Sequence, residues 1–464
     1  MVTRCGGMLR PLDTGVTVVT DNALLTVAGR PALEALWLPF THNRHFKKHP
    51  RLVSAAEGMY YTTPDGRRVL DGLSGLWCCN AGHRHPRIVA AVKAQLDELD
   101  YAVAFQVQHP KAFELANALT AAAPGDLNHV FFTNSGSEAV DTALKVALAY
   151  HQARGDGGRY RLIGRAKAYH GVGFGGISVG GMTANRKAFA GALLPGVDHL
   201  PHTHNLEQMA FTRGQPSWGA HLADELENIV ALHDASTIAA VIVEPMQGSA
   251  GVIVPPLGYL ERLRAICDKY GILLIFDEVI TGFGRIGELF SPTRLNVLPD
   301  ILSFAKGITS GMVPLGGVLV RDHVYQAFMQ GPEHLVEFFH GYTYSGHPLA
   351  CAAGLAALEV YRDEELFARA RRLEPLLAEA VHALRGEPHV IDIRNFGLAA
   401  AVELTPRADG VSLRAMEIFE RCFEQGVMLR YTGDILALGP AATASEDELG
   451  IMVDTLRRAI RAVA

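Results

Sequence analysis

Three short stretches of the chain carry residue types that do chemistry. In Ser303-Phe-Ala-Lys306-Gly307 a lysine ends an apolar run. An amine placed where a core opens at a strand end is partly desolvated, so its pKa falls and the neutral nucleophile becomes available. In Ile275-Phe-Asp-Glu-Val279 a carboxylate, Asp277, ends a second apolar run and could pair with a protonated ring nitrogen. In Phe131-Phe-Thr-Asn-Ser-Gly-Ser-Glu-Ala139 the Ser135-x-x-Glu138 spacing is that of a capping box at a helix start. Gly136 permits a close backbone approach, the first N–H groups and the positive helix end face outward, and the Ser135 and Ser137 hydroxyls add donors. Each stretch also has an ordinary reading: a snorkelling surface lysine, a loop acid, a capped helix. Together they supply what pyridoxal phosphate requires, namely an anchor for its phosphate, a carboxylate for its ring nitrogen and an amine for its aldehyde. Tyr169-His170-Gly171 adds an aromatic that could stack on a pyridine ring, and Glu244 in Val243-Glu-Pro-Met-Gln-Gly248 is a further strand-end acid.

Positioning these groups requires a sheet. Over residues 71–341, short continuous apolar runs alternate with helical stretches. The runs 129–132, 238–243, 272–276, 301–304 and 317–320 predict strands; 139–150 and 259–270 predict helices, the second closed by Gly271. This pattern predicts an α/β fold with a mainly parallel sheet covered on both faces, and ligands then bind at the carboxyl ends of the strands. After about residue 345 the pattern changes. Helical stretches at 348–383 and 414–425, then short strands and a last helix, predict a smaller α+β domain. The expected division is an N-terminal segment (1–70) packing with the small domain, a large cofactor-binding domain (71–344) and a small domain (345–464).

Bulk properties exclude several classes. In 464 residues, 49% are hydrophobic and 19% charged, which suits a large core rather than disorder. A net charge of −6 with no basic stripe argues against nucleic acid. No apolar run approaches membrane-spanning length, and Asp13 and Asp21 interrupt the N-terminal apolar stretch, so no signal peptide is read. Six cysteines, two of them adjacent (Cys78, Cys79), form no disulfide framework and predict a reducing cytoplasm. Gly171-Val-Gly-Phe-Gly-Gly176 matches a dinucleotide fingerprint, but the following Ile-Ser-Val-Gly-Gly reads as strand, with no helix to receive a pyrophosphate. His199, His202 and His204 lack a ligand spacing and read as structural or surface histidines, so no metal is expected.

The set Asn134-Ser-Gly-Ser-Glu138, Tyr169-His-Gly171, Asp277-Glu-Val-Ile-Thr-Gly-Phe-Gly-Arg285, Ala305-Lys-Gly307 and Gly341-Tyr-Thr-Tyr-Ser-Gly-His-Pro348 resembles the class III aminotransferases, over about residues 36–439. Leu76-Trp-Cys-Cys-Asn-Ala-Gly82 and Ile177-Ser-Val-Gly-Gly181 are similar to the ω-amino acid–pyruvate subgroup. The resemblance implies fold type I, Lys306 bonded to the cofactor, Asp277 on the pyridine nitrogen, and Val279 and Tyr169 on the two ring faces. Gly136 and Ser137 would hold the phosphate, with Thr343 reaching it from a partner subunit. A homodimer with shared sites, or a tetramer, follows. Arg430 matches the family's mobile arginine, able to bind an α-carboxylate and swing aside for amines, and Trp77 a substrate-pocket wall; a surface arginine and a core tryptophan are the other readings.

The implied reaction moves an amino group from an ω-amino acid or amine to pyruvate. Decarboxylase or aminomutase chemistry on the same fold and a nicotinamide oxidoreductase are the alternatives. One segment departs from the resemblance: Ala441-Ala-Thr-Ala-Ser445 replaces larger residues and predicts a weakened strand near Arg430.

Overall fold

The computed structural model describes residues 26–27, 30–31 and 33–463; the reading of Asp13 and Asp21 lies outside them. Two compact units divide the chain, residues 1–55 with 61–68, and residues 56–60 with 69–464. In the first, the helix Asn43–Lys48 is preceded by a loop tied by the Asn43 side chain, which accepts from Leu38 N at 2.8 Å and donates to Leu38 O at 2.9 Å.

The second unit is built on a seven-stranded sheet: β1 (Leu127–Thr133), β2 (Arg161–Arg165), β3 (Val197–Leu200), β4 (Ile238–Val243), β5 (Leu273–Asp277), β6 (Ile301–Ala305) and β7 (Gly316–Arg321). The order across it is β1-β7-β6-β5-β4-β2-β3. β7 alone runs antiparallel to its neighbours. Every residue of β4, β5 and β6 is buried, which is why these strands are unbroken apolar runs rather than alternating ones. Helices α1 (Gly136–Ala153), α2 (Phe174–Val179) and α3 (Tyr259–Tyr270) accompany the sheet. α3 packs Leu260, Leu263 and Ile266 inward and ends on Gly271 at φ +63°, as its spacing predicts.

α2 departs from the sequence reading, which made 177–181 strand-like. Gly164 in β2 is the physical reason a helix fits here. A Cβ on Gly164 would lie 1.8 Å from the Val179 carbonyl, so helix and strand backbones touch directly. The helix still offers no pyrophosphate site: Asp141 Oδ1 accepts from Gly176 N at 2.8 Å, placing a carboxylate at that N-terminus.

A second, smaller domain follows. α4 (Pro348–Asp363) and α5 (Leu366–His382) are two helices where one stretch was expected. β8 (Val390–Asn395) and β9 (Ala400–Leu404) precede α6 (Leu413–Glu424); β10 (Arg430–Thr432), β11 (Ile435–Leu438) and α7 (Glu446–Ala462) follow it. The antiparallel order is β8-β9-β11-β10. Residues 441–445 are not the weakened strand expected. Ala441, Ala442 and Ala444 are buried in a tight connection, and Ser445 with Glu448 forms a capping box that starts α7, so small residues suit the space.

Candidate active site

The carboxyl ends of β4, β5 and β6 bring three functional groups to one edge. Asp277 ends β5 and is buried; its Oδ2 lies 2.8 Å from His170 Nδ1 and its Oδ1 accepts from Val279 N at 3.1 Å. His170 Nε2 is buried and has no hydrogen-bond partner among the described residues. Glu244 follows β4. Its carboxylate accepts from Tyr169 N at 2.9 Å and Gly248 N at 3.1 Å, fixing the aromatic's backbone, and burial pushes its pKa up to about 7. Lys306 follows β6 in the left-handed region at φ +53°. Burial lowers the pKa of its amine, which lies within electrostatic reach of Cys78, Asp277, Glu244 and Arg430. Among the described residues it has no hydrogen-bond or ion-pair partner.

Beside them lies the start of α1. Ser135 is the N-cap, and its Oγ accepts from Glu138 N at 3.2 Å. The box closes one residue early: Glu138 Oε2 accepts from Asn134 N at 2.8 Å and Asn134 Nδ2 at 2.9 Å rather than from Ser135 N. Gly136 and Ser137 N–H groups have no acceptor among the described residues, the orphan donors that an anion satisfies. Val279 presses on Gly136, where a Cβ would sit 2.8 Å from its Cγ1. Gly171, at φ +88°, comes equally close to Ser137, whose Oγ accepts from Val172 N at 3.1 Å. A free amine, a buried carboxylate, an aromatic and a bare helix start fit pyridoxal phosphate.

Arg430 opens β10. It is half-buried, burial lowers its pKa, and it lies within electrostatic reach of Tyr169 and Lys306. Its guanidinium makes no hydrogen bond among the described residues. Trp77 is 2% exposed, at φ +64°, with the Arg285 guanidinium 5.3 Å from its ring centre and Gly439 against the ring; the core reading describes it in this chain. The Thr343 carbonyl accepts from the Tyr101 hydroxyl at 3.1 Å, and among the described residues no hydrogen bond joins Thr343 to the Lys306 group.

Several residues of this edge carry no sequence signal. Cys78, half-buried, lies within electrostatic reach of the Lys306 amine. Glu278 faces away from Asp277 into the core, where it accepts from Ser291 N at 2.7 Å, the Ser291 hydroxyl and the Thr281 hydroxyl at 2.6 Å. Burial raises its pKa to about 7. Between about pH 4.5 and 7 the folded state then holds a proton that the unfolded state has lost, so stability falls as pH rises through that window. Relative to Glu278→Gln, the wild type should lose about 3 kcal/mol across it. Urea unfolding at both ends of the window checks this; a gap that does not change with pH contradicts it. Of the structural and surface readings of the histidine cluster, His204 takes the structural one: its Nε2 meets Glu403 at 3.1 Å, near Asp392. Arg394 Nη1 bonds both carboxylates and so supplies the cation.

The strand-end lysine, acid and helix start on this sheet define a pyridoxal-phosphate transferase. Residues 41–460 match Aminotransferase class-III, and the chain belongs to that family of pyridoxal-phosphate enzymes. It is 58% identical to an omega-aminotransferase of Caulobacter vibrioides, over 93% of this chain and 98% of that one. It is 49% identical to a beta-alanine–pyruvate aminotransferase of Pseudomonas aeruginosa, over 96% and 99%. An amine transaminase crystal structure from an uncultivated Pseudomonas species, in its PLP-bound form, superposes with TM-score 0.85 at 39% identity, over 92% and 99%.

Proposed function

We propose that this chain transfers an amino group from an ω-amino acid or amine of the β-alanine type to pyruvate, with Lys306 as the cofactor lysine. The carrying observation is Arg430, a half-buried guanidinium with no hydrogen-bond partner among the described residues, within reach of Lys306 and Tyr169. A site that handles both a keto acid and a donor without an α-carboxylate needs an anion receptor that is free to engage or withdraw.

When bound, pyridoxal phosphate supplies an aldehyde that condenses with amines and a ring that accepts electrons from the substrate carbon. Lys306 Nζ would hold the aldehyde carbon. Asp277, kept in place by His170 and Val279 N, would hold the proton on the ring nitrogen. The Gly136 and Ser137 N–H groups and the Ser135 and Ser137 hydroxyls would receive the phosphate; Tyr169 and Val279 would cover the ring faces, and Glu244 fixes the Tyr169 backbone. With the cofactor bound to a substrate, the Lys306 amine would be the base and acid that moves the proton at the substrate carbon. Burial favours the neutral amine this step needs. Arg430 binds the α-carboxylate of pyruvate or alanine.

The chain works as a homodimer in this reading. Phe105, Val107, Phe113, Val336, Phe339 and Tyr344 are all exposed apolar residues, and Phe105 abuts Gly341 while Tyr101 and Tyr344 pack ring edge to ring at 5.9 Å. Patches of this kind mark interfaces. Thr343 lies within this one, from which it serves the partner's phosphate site. The division at residues 70 and 344, with the large domain holding the cofactor, belongs to the same reading. So does a cytoplasmic location, supported by the free Cys78, Cys79, Cys267, Cys351 and Cys422; no described helix is long and apolar enough to cross a membrane.

Arg430→Ala tests the proposal. With a carboxylate-free amine as donor, the half-reaction should change less than about threefold, while kcat/KM for pyruvate falls about 10- to 100-fold, the loss of one bidentate charged contact. Equal losses in both halves, or no alanine from any ω-amino acid or amine offered with pyruvate, would count against it.

A further inference from the structure

Four residues with side chains adopt the left-handed backbone region around one point of the fold: Ser74 (φ +51°), Trp77 (φ +64°), Phe283 (φ +57°) and Lys306 (φ +53°). Such conformations are costly and persist only where the surroundings impose them. Here a buried polar pair, Asn80 and Arg285, touches all four segments. Asn80 Nδ2 donates to the Phe283 carbonyl at 2.8 Å, and Asn80 Oδ1 accepts from Arg285 Nη2 at 2.7 Å. Arg285 Nη2 also donates to Ser74 Oγ at 3.1 Å, and Nη1 donates to the carbonyls of Leu398 at 2.9 Å and Pro440 at 2.7 Å. The same guanidinium lies over the Trp77 ring.

The link to the lysine is direct contact. Gly307 follows Lys306, and a Cβ built on Gly307 would lie 2.7 Å from Asn80 Nδ2 and 2.7 Å from Phe283 Cβ. The Tyr361 hydroxyl donates to the Gly307 carbonyl from the other element packed there. Next along the turn, Ser310 Oγ accepts from Ala81 N at 3.0 Å. The turn that presents the lysine is thus clamped to residues 80–81 and through them to Arg285. Arg285 forms no ion pair among the described residues, and burying an unneutralised guanidinium is expensive. Its four oxygen contacts, from three separate stretches of chain, are a return in position rather than in charge neutralisation.

We infer that Asn80 and Arg285 are positioning residues for Lys306: they impose the left-handed turn that holds its amine among Cys78, Asp277 and Arg430. The inference rests on the reading of Lys306 as the cofactor lysine and adds to it what aims that lysine. Arg285 meets the chain past the Arg430 hairpin, at the Pro440 carbonyl, and among the described residues neither Asn80 nor Arg285 bonds Arg430 itself, so substrate carboxylate binding should be spared when they are changed.

The test uses Asn80→Ala and Arg285→Lys in the cofactor-loaded enzyme; the lysine keeps a charge but loses the fork that reaches four oxygens. Two quantities are read, the pH midpoint of the absorbance of the Lys306-bound cofactor and the split between kcat and KM. Both variants should shift the midpoint by about half a pH unit or more and lower kcat about tenfold, with KM for pyruvate within about twofold of wild type. Midpoints that coincide with wild type, or a loss confined to thermal stability or KM, overturn the inference. If Arg285→Lys does not fold, Asn80→Ala decides, because Arg285 keeps its other three oxygens there. A wild type without a Lys306-bound absorbance overturns the underlying reading and the inference with it; a normal wild-type band with unshifted variants overturns the inference alone.

Discussion

Asp277→Asn should lower kcat by at least about 10²- to 10³-fold, the range seen when one preorganised electrostatic partner is removed from a reacting centre. The carboxylate sits at the end of β5, held by His170 Nδ1 at 2.8 Å and Val279 N at 3.1 Å. An amide in the same place keeps the shape but cannot stabilise a proton on a ring nitrogen. The buried His170 would remain beside an amide oxygen of the same shape, so the fold should survive the change. The comparison to make is steady-state kcat beside the thermal unfolding midpoint of the same preparation. A variant as stable as wild type and within about tenfold of its rate would remove Asp277 from the role given to it here.

Lys306→Ala should cost about 10⁴-fold, the upper end of what a positioned general base contributes, and should also abolish any covalent cofactor absorbance. Its effect on stability should be small or favourable. The amine is buried with no hydrogen-bond or ion-pair partner among the described residues and sits at φ +53°, so removing it relieves a desolvated group even though alanine tolerates that backbone no better. Single-turnover measurements with added amine separate the two roles. If a small exogenous amine restores the proton transfer in part, the lysine's role as base is isolated from its role as tether. Activity within about a hundredfold of wild type would contradict both roles.

How much of this was legible in the sequence follows from what each residue depends on. The strands β4, β5 and β6 are buried throughout, so a continuous apolar run marks them, and the residue that breaks each run, Glu244, Asp277 or Lys306, is by construction at the sheet's ligand-binding edge. α3 was legible for the same reason, with helical spacing and a terminal glycine. β8 was not: Val390-Ile-Asp-Ile-Arg-Asn395 interleaves apolar residues with Asp392 and Arg394, whose burial depends on Glu403 of the next strand and on His204 and the Gly251 carbonyl far along the chain. α2 was misread because glycines that look like strand punctuation are there to let helix backbone touch Gly164.

The site shows the same division. Lys306, Asp277 and the α1 start announce themselves through local pattern. Asn80 and Arg285 do not, since they meet across about two hundred residues and act through carbonyls, which no side-chain pattern records. Arg430 was legible only through family resemblance, because nothing local says that its guanidinium lacks a hydrogen-bonding partner. Trp77 looked like a pocket wall, and in this chain its ring is covered by Arg285 and Gly439.

The central claim is that one particular amine, that of Lys306, carries the cofactor. Borohydride reduction of the cofactor-loaded enzyme makes such a bond permanent, and peptide mass spectrometry then locates it. The expected result is a single modified peptide containing Lys306, absent when the enzyme is first saturated with an amine donor in the absence of a keto acid. Modification at any other lysine, or none at all in an enzyme that still transfers amino groups, would contradict the account.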